Sequence, residues 1–126
     1  MPPPETVATT TGQRVQLVPL AEEVSRRHLD GHPEDVSRYG DDLAWQWCVH
    51  DMQHVLAWAI ADQEFRGQLA WLARVLDARD YPVNNLFDCV LTAADVVEEQ
   101  LPPEVGTEVA GRMRQTSDAL RSGGFD

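Results

Sequence analysis

Lysine is absent: all 10 basic residues are arginine, set against 21 Asp and Glu, and the 126-residue chain carries a net charge of −11 at pH 7. A nucleic-acid partner needs a basic patch that releases counterions from phosphates, and this composition disfavours one. An anionic membrane surface would repel the chain for the same reason. Long apolar runs are missing too, since no stretch approaches the roughly 18 uninterrupted apolar residues that a transmembrane helix needs. The opening MPPPETVATTTGQ has no positive start followed by an apolar run, so no secretory signal is expected. Cysteine is scarce: Cys48 and Cys89 are the only two, neither in a CxxC spacing, and each lies inside an apolar helical pattern. They read as reduced, buried thiols, which fits a cytoplasmic protein. Also lacking are GxSxG, a glycine-rich phosphate loop, HExxH and an EF-hand loop, so the chain reads as non-catalytic.

What is present is an ordinary globular balance, 43 % hydrophobic and 25 % charged residues, in a chain long enough for one core and too short for two. Residues 1–13, rich in Pro and Thr without apolar periodicity, read as a flexible lead, 14–121 as a single helical domain and 122–126 as a loose tail. Within the domain a short helix is expected from Pro19 or Leu20 to the Asp30-Gly31-His32-Pro33 punctuation, and a second from Pro33 to Tyr39. The strongest element runs from an Asp41 or Asp42 cap through Ala61. Its Trp45, Cys48, Val49, Met52, Val55, Leu56, Ala59 and Ile60 share one broad face, while Trp47, His50, Asp51, His54 and Trp58 occupy the other. A helix apolar or aromatic most of the way round belongs in the middle of a bundle.

A further helix is expected from Gln63 to Ala78, with Phe65, Leu69, Leu72 and Leu76 inward and Trp71 and Val75 widening the stripe. Asp80-Tyr81-Pro82 closes it. The next begins near Asn84 and ends at Leu101-Pro102-Pro103, and the last carries Val105, Val109, Met113 and Leu120 inward, weakened by Gly106 and Gly111 at about 1 kcal/mol each. No strand pattern, repeat or sustained heptad is visible. The fold class is therefore all-α, a single-domain bundle of about five helices. The acidic faces, Glu98, Glu99 and Glu104 among them, read as solvated surface, or else as a docking patch for a basic partner.

Chemistry concentrates on the central helix. His50 and His54 stand four apart on one face with Asp51 between them, a spacing at which two imidazoles can share a metal. A metal site wants three or four ligands, and His28, His32 and Cys48 are the only further soft donors; histidines hydrogen-bonded to neighbouring helices are the simpler reading. Trp47, His54 and Trp58 place two indoles either side of one imidazole, and Trp71, a helix later, can form an opposing wall. Flat aromatic walls with a polar tip suit a planar or apolar ligand such as a tetrapyrrole, a flavin or a fatty acid. Exposed, the two histidines would titrate near pH 6 to 7, as free imidazoles do at about 6.5.

The run WQWCVHDMQHVLAWAIAD, followed by FRGQLAWLARVLDARDYPVNNLFDCVLTAADVVEEQLP, resembles helical sensory domains of bacterial regulators. A His-bearing helix is followed by one with an aromatic before Trp-Leu and a Leu-x-x-Arg ending, then by a Pro-containing turn and another amphipathic helix. Such domains, globin-like or four-helix bundles, occur beside cobalamin-binding domains and in stress regulators. The Asp-x-His-x-x-Gly motif that ligates cobalt in the cobalamin proteins has no counterpart here, nor has the α/β domain that carries it. The resemblance implies a regulatory or ligand-sensing bundle, with Trp47, His50, His54, Trp58 and Trp71 on its ligand side. Two alternatives stand beside it: a homodimeric interaction module without ligand, and a small metal-binding or acid-base enzyme using His50, Asp51 and His54.

Overall fold

The computed structural model describes residues 2–125; Met1 of the expected lead and Asp126 of the expected tail lie outside the described residues. The architecture is all-α in its body, with six helices rather than about five, preceded by a small hairpin. In chain order these are β1 (Thr6–Ala8), β2 (Arg14–Gln16), α1 (Leu17–Gly31), α2 (Pro33–Tyr39), α3 (Asp41–Ala61), α4 (Phe65–Ala78), α5 (Val83–Gln100) and α6 (Pro103–Gly123).

The hairpin corrects the expectation of no strand. β1 and β2 pair antiparallel with Thr6 opposite Gln16, Val7 opposite Val15 and Ala8 opposite Arg14. The Thr9 hydroxyl organises the turn by accepting from the amides of Thr11 and Gln13 at 3.3 and 3.0 Å, and Gly12 supplies a left-handed φ of +89°. A two-stranded hairpin is marginal alone. This one is anchored to the helices: Val7 and Val15 pack on the core, and the buried Gln53 of α3 donates to the Pro4 carbonyl at 2.8 Å.

α1 begins at Leu17, two residues before Pro19, which therefore sits in the first turn, where no helical amide bond is lost. α3 is entered from Gly40, whose φ of +83° makes it the cap residue, while Asp41 and Asp42 lie in the first turn and complement the helix dipole. α4 starts at Phe65 rather than Gln63, because Asp62 and Glu64 both take left-handed conformations and end any helix between them.

α3 is the central element, touching every other helix and β1, and α1, α5 and α6 close around it. Leu17, Met52, Leu56, Ile60, Phe87 and Met113 are among the largest side chains withdrawn completely from solvent. The tightest crossing is between α5 and α6. A Cβ added to Gly106 would stand 3.0 Å from the Val97 carbonyl oxygen and 3.3 Å from that of Leu101, so this glycine allows backbones to meet rather than merely weakening its helix. The expected tail is tied down as well: α6 continues through Gly123, the Phe125 ring packs 6.2 Å from that of Phe87, and Arg74 of α4 donates to the Phe125 carbonyl at 2.8 Å. None of the described helices is long and apolar enough to cross a membrane.

Candidate functional site

A groove of about 760 Å³ lies between α3 and α4 and is also lined by Arg38 and Tyr39 of α2. From α3 the groove takes Trp47, Asp51, His54 and Trp58, whose steps of four, three and four residues form one straight stripe along a helix. From α4 it takes Gln68, Trp71 and Val75, and from the cap residue after it Arg79, a second stripe facing the first. The expected ligand residues Trp47, His54, Trp58 and Trp71 thus share one wall-to-wall site. His50 does not line it. Nor do His50, Asp51 and His54 converge for a metal: among the described residues no three His, Cys, Asp or Glu side chains are placed to hold one.

Trp47 and Trp71 are 47 % and 53 % exposed and, with Leu43, are the large apolar side chains left open to solvent. Trp58 is half-buried against the core, its ring 6.0 Å from that of His54, and the Tyr39 ring meets Trp47 edge-on at 4.8 Å. Burial, with the charge of His50 adding to it, holds the His54 pKa below the ordinary imidazole value, so His54 departs from the free-imidazole range expected of an exposed ring. In the groove wall no hydrogen bond to Asp51 offsets its burial. Burial raises its carboxyl to about 6, against the pull of the Arg79 charge.

Behind Asp51 lies a smaller cavity of about 70 Å³ that shares Tyr39, Trp47, Asp51 and Leu76 with the groove. It is large enough for a few water molecules and too small for a flat cofactor. Its far wall is a polar cluster with no counterpart in the sequence reading. The buried Asp35 accepts from His28 Nε2 at 3.2 Å, from the Tyr81 hydroxyl at 2.6 Å and from Asn85 at 3.1 Å. Burial alone would raise its pKa, but the bonds from His28, Tyr81 and Asn85 outweigh it and hold the carboxyl below its usual range. Tyr81, pressed by the same burial and by the Asp35 charge, is raised far above a free phenol and stays protonated.

His32 stacks on His28 with ring centroids 4.1 Å apart, and its two ring nitrogens reach the His28 carbonyl at 2.9 Å and Asp88 at 3.1 Å. Cys48 and Cys89 line the same cavity. No spacing rule foretells these contacts, because they join α1, α2, α3 and α5. The only local signal was PEDVSRY, a helix too short to show an apolar stripe, whose Asp35 is buried.

No family model, curated protein or solved structure matches the chain.

Proposed function

We propose that this domain is a non-catalytic, ligand-sensing module of the regulatory kind, a helical bundle of globin-like character that takes a planar or apolar small molecule between α3 and α4. The observation that carries the reading is the groove itself. Its volume of about 760 Å³ falls within the range of small-molecule sites. Its indoles stand half-exposed on facing helices, although burying a large aromatic is strongly favourable. A ligand slid between Trp47, Trp58 and Trp71 would complete their desolvation. His54 and Asp51 supply the few polar groups that fix orientation, and a bound molecule favouring one spacing of α3 and α4 shifts the population toward it.

The test is a titration followed by tryptophan fluorescence, with protoporphyrin IX as a flat probe and oleate as an apolar one. Saturable quenching at one probe per chain, weakened about tenfold by Trp71→Ala (the loss of about 1.4 kcal/mol of contact), supports the reading. Quenching that never saturates, or that ignores the substitution, overturns it. A second reading rests on the exposed Leu43, Trp47 and Trp71, an apolar patch that a second copy of the chain could cover. Sedimentation showing twice the monomer mass, lost in Trp71→Ala, would favour it.

A further inference from the structure

The two cysteines of this chain lie 41 residues apart, on α3 and α5, yet their sulfurs are in contact at 4.0 Å. Apolar packing does not require that. Buried thiols behave as small hydrophobes and have no reason to seek each other out. Their settings also differ, since Cys89 is buried and Cys48 half-buried. Both line the 70 Å³ cavity whose wall, at Trp47 and Asp51, is shared with the open groove. Only that shared wall separates the thiols from the groove, and Cys48 is the less buried of the two.

We propose that Cys48 is a site of oxidation by hydroperoxides, with Cys89 as its resolving partner, so that the pair cycles between a dithiol and a disulfide linking α3 to α5. In the first step the Cys48 thiolate attacks one oxygen of the hydroperoxide. The O–O bond breaks, the alkoxide or hydroxide leaves and takes up a proton, and Cys48 becomes a sulfenic acid. Cys89 sulfur then attacks Cys48 sulfur. The S–S bond forms as the S–O bond breaks, and water leaves carrying the Cys89 proton. Two thiols and one hydroperoxide yield one disulfide, one alcohol or water, and one water; a small dithiol reverses the cycle by exchange.

The surroundings assign the roles in that order. The hydrogen bond from Cys89 holds the Cys48 thiol below its ordinary pKa, and the neighbouring Ser25 hydroxyl adds to this against the effect of burial. Cys89 is shifted the other way, by Cys48 and by burial, so of the two sulfurs the more accessible one, Cys48, is the readier to ionise. His28 lines the same cavity. Its Nε2 is bonded to Asp35, and its buried Nδ1 has no hydrogen-bond partner among the described residues. The centre stands whether or not the groove holds a ligand.

The experiment treats the reduced full-length protein with one equivalent of hydrogen peroxide and reads intact mass under denaturing conditions. Loss of two hydrogens, a peptide joining Cys48 to Cys89, and recovery with dithiothreitol are expected. In Cys89→Ala, dimedone should label Cys48; in Cys48→Ala, Cys89 should stay unlabelled. Oxygen retained on sulfur without a bridge, an intermolecular disulfide, or labelling of Cys89 in Cys48→Ala overturns the proposal. Should either variant fail to fold, the wild-type chain decides alone. The bridge should form at least about tenfold faster in native protein than in urea, because the fold presents the thiols together, and equal rates would refute the assignment.

Discussion

The α5–α6 and α3–α4 interfaces are built from opposite choices of residue. α5 and α6 bury the small residues Ala93, Ala94, Gly106 and Ala110, and at Gly106 the backbones approach until a single added carbon would press on the Val97 carbonyl. Arg114 rims that seam with ion pairs to Asp95 and Glu98 at 2.8 and 3.1 Å. Where α3 faces α4, the residues along the seam are Trp47, Trp58, Trp71 and His54, too large to interdigitate, and a groove remains. Small side chains close a helix pair and large flat ones prop it open. The same core thus holds a closed joint on one side and an open one on the other.

Four substitutions sharpen that contrast. Phe87→Ala, at a wholly buried ring on the closed side, should cost about 4 kcal/mol, read as a lower midpoint in denaturant. Gly106→Val should cost about 3 kcal/mol through the clash with the Val97 carbonyl; an unchanged thermal midpoint would show that the crossing has slack. On the open side the effect of Asp51→Asn depends on pH. The Asp51 pKa is raised from 3.8 to about 6, so the folded state binds its proton more tightly than the unfolded chain does. The wild type should therefore lose stability as pH rises from about 4 to about 6 and level off above that. The variant should lack this fall and be more stable at pH 7 by on the order of 1 kcal/mol, after allowance for solvent screening. Parallel stability curves for the two proteins would contradict the assignment. Smallest of all, Trp71→Ala should change stability by within about 0.5 kcal/mol, as expected of an exposed position, while altering probe binding. A loss comparable to Phe87→Ala would mean that Trp71 is core and not wall.

Asp35 tests the cluster behind the groove with the opposite sign. Its pKa is depressed, so its contribution to stability is fully present above the unfolded value near 3.8 and disappears as pH falls through the lower folded value. Asp35→Asn should remove that acid-side loss in a pH-dependent melting series.

Helix positions were legible because the signals are local. α3 reads from its long apolar run, α2 from Pro33 and Gly40, the break before α5 from Tyr81-Pro82. The α3 stripe Trp47, His54, Trp58 follows from helical periodicity, and Trp71 from the next helix along. The hairpin was illegible because each strand is three residues with a single large apolar side chain, Val7 or Val15, whose value lies in the helices beneath. Asp35, Tyr81 and the Cys48–Cys89 contact were illegible for a different reason. Each depends on which helices become neighbours, and the sequence carries no spacing that encodes neighbourhood. His50 shows the converse limit, since a shared face by spacing put it with His54 while the groove passes it by.

Arg112 gives the open joint an unexpected attachment. From α6 it donates to the Ala59 carbonyl at the end of α3 and pairs with Asp62 at 3.3 Å in the turn that leads to α4. The far side of α4 is held by Arg74 on the Phe125 carbonyl, just beyond α6. At the end of α4 the Arg79 carbonyl accepts from Arg38 of α2 at 3.2 Å, so α4 is tied to α2 as well as to the segment just beyond α6. A guest that wedged α4 away from α3 would pull, as a lever pulls on its bearings, on α2 through Arg38 and on the C-terminal segment through Arg74.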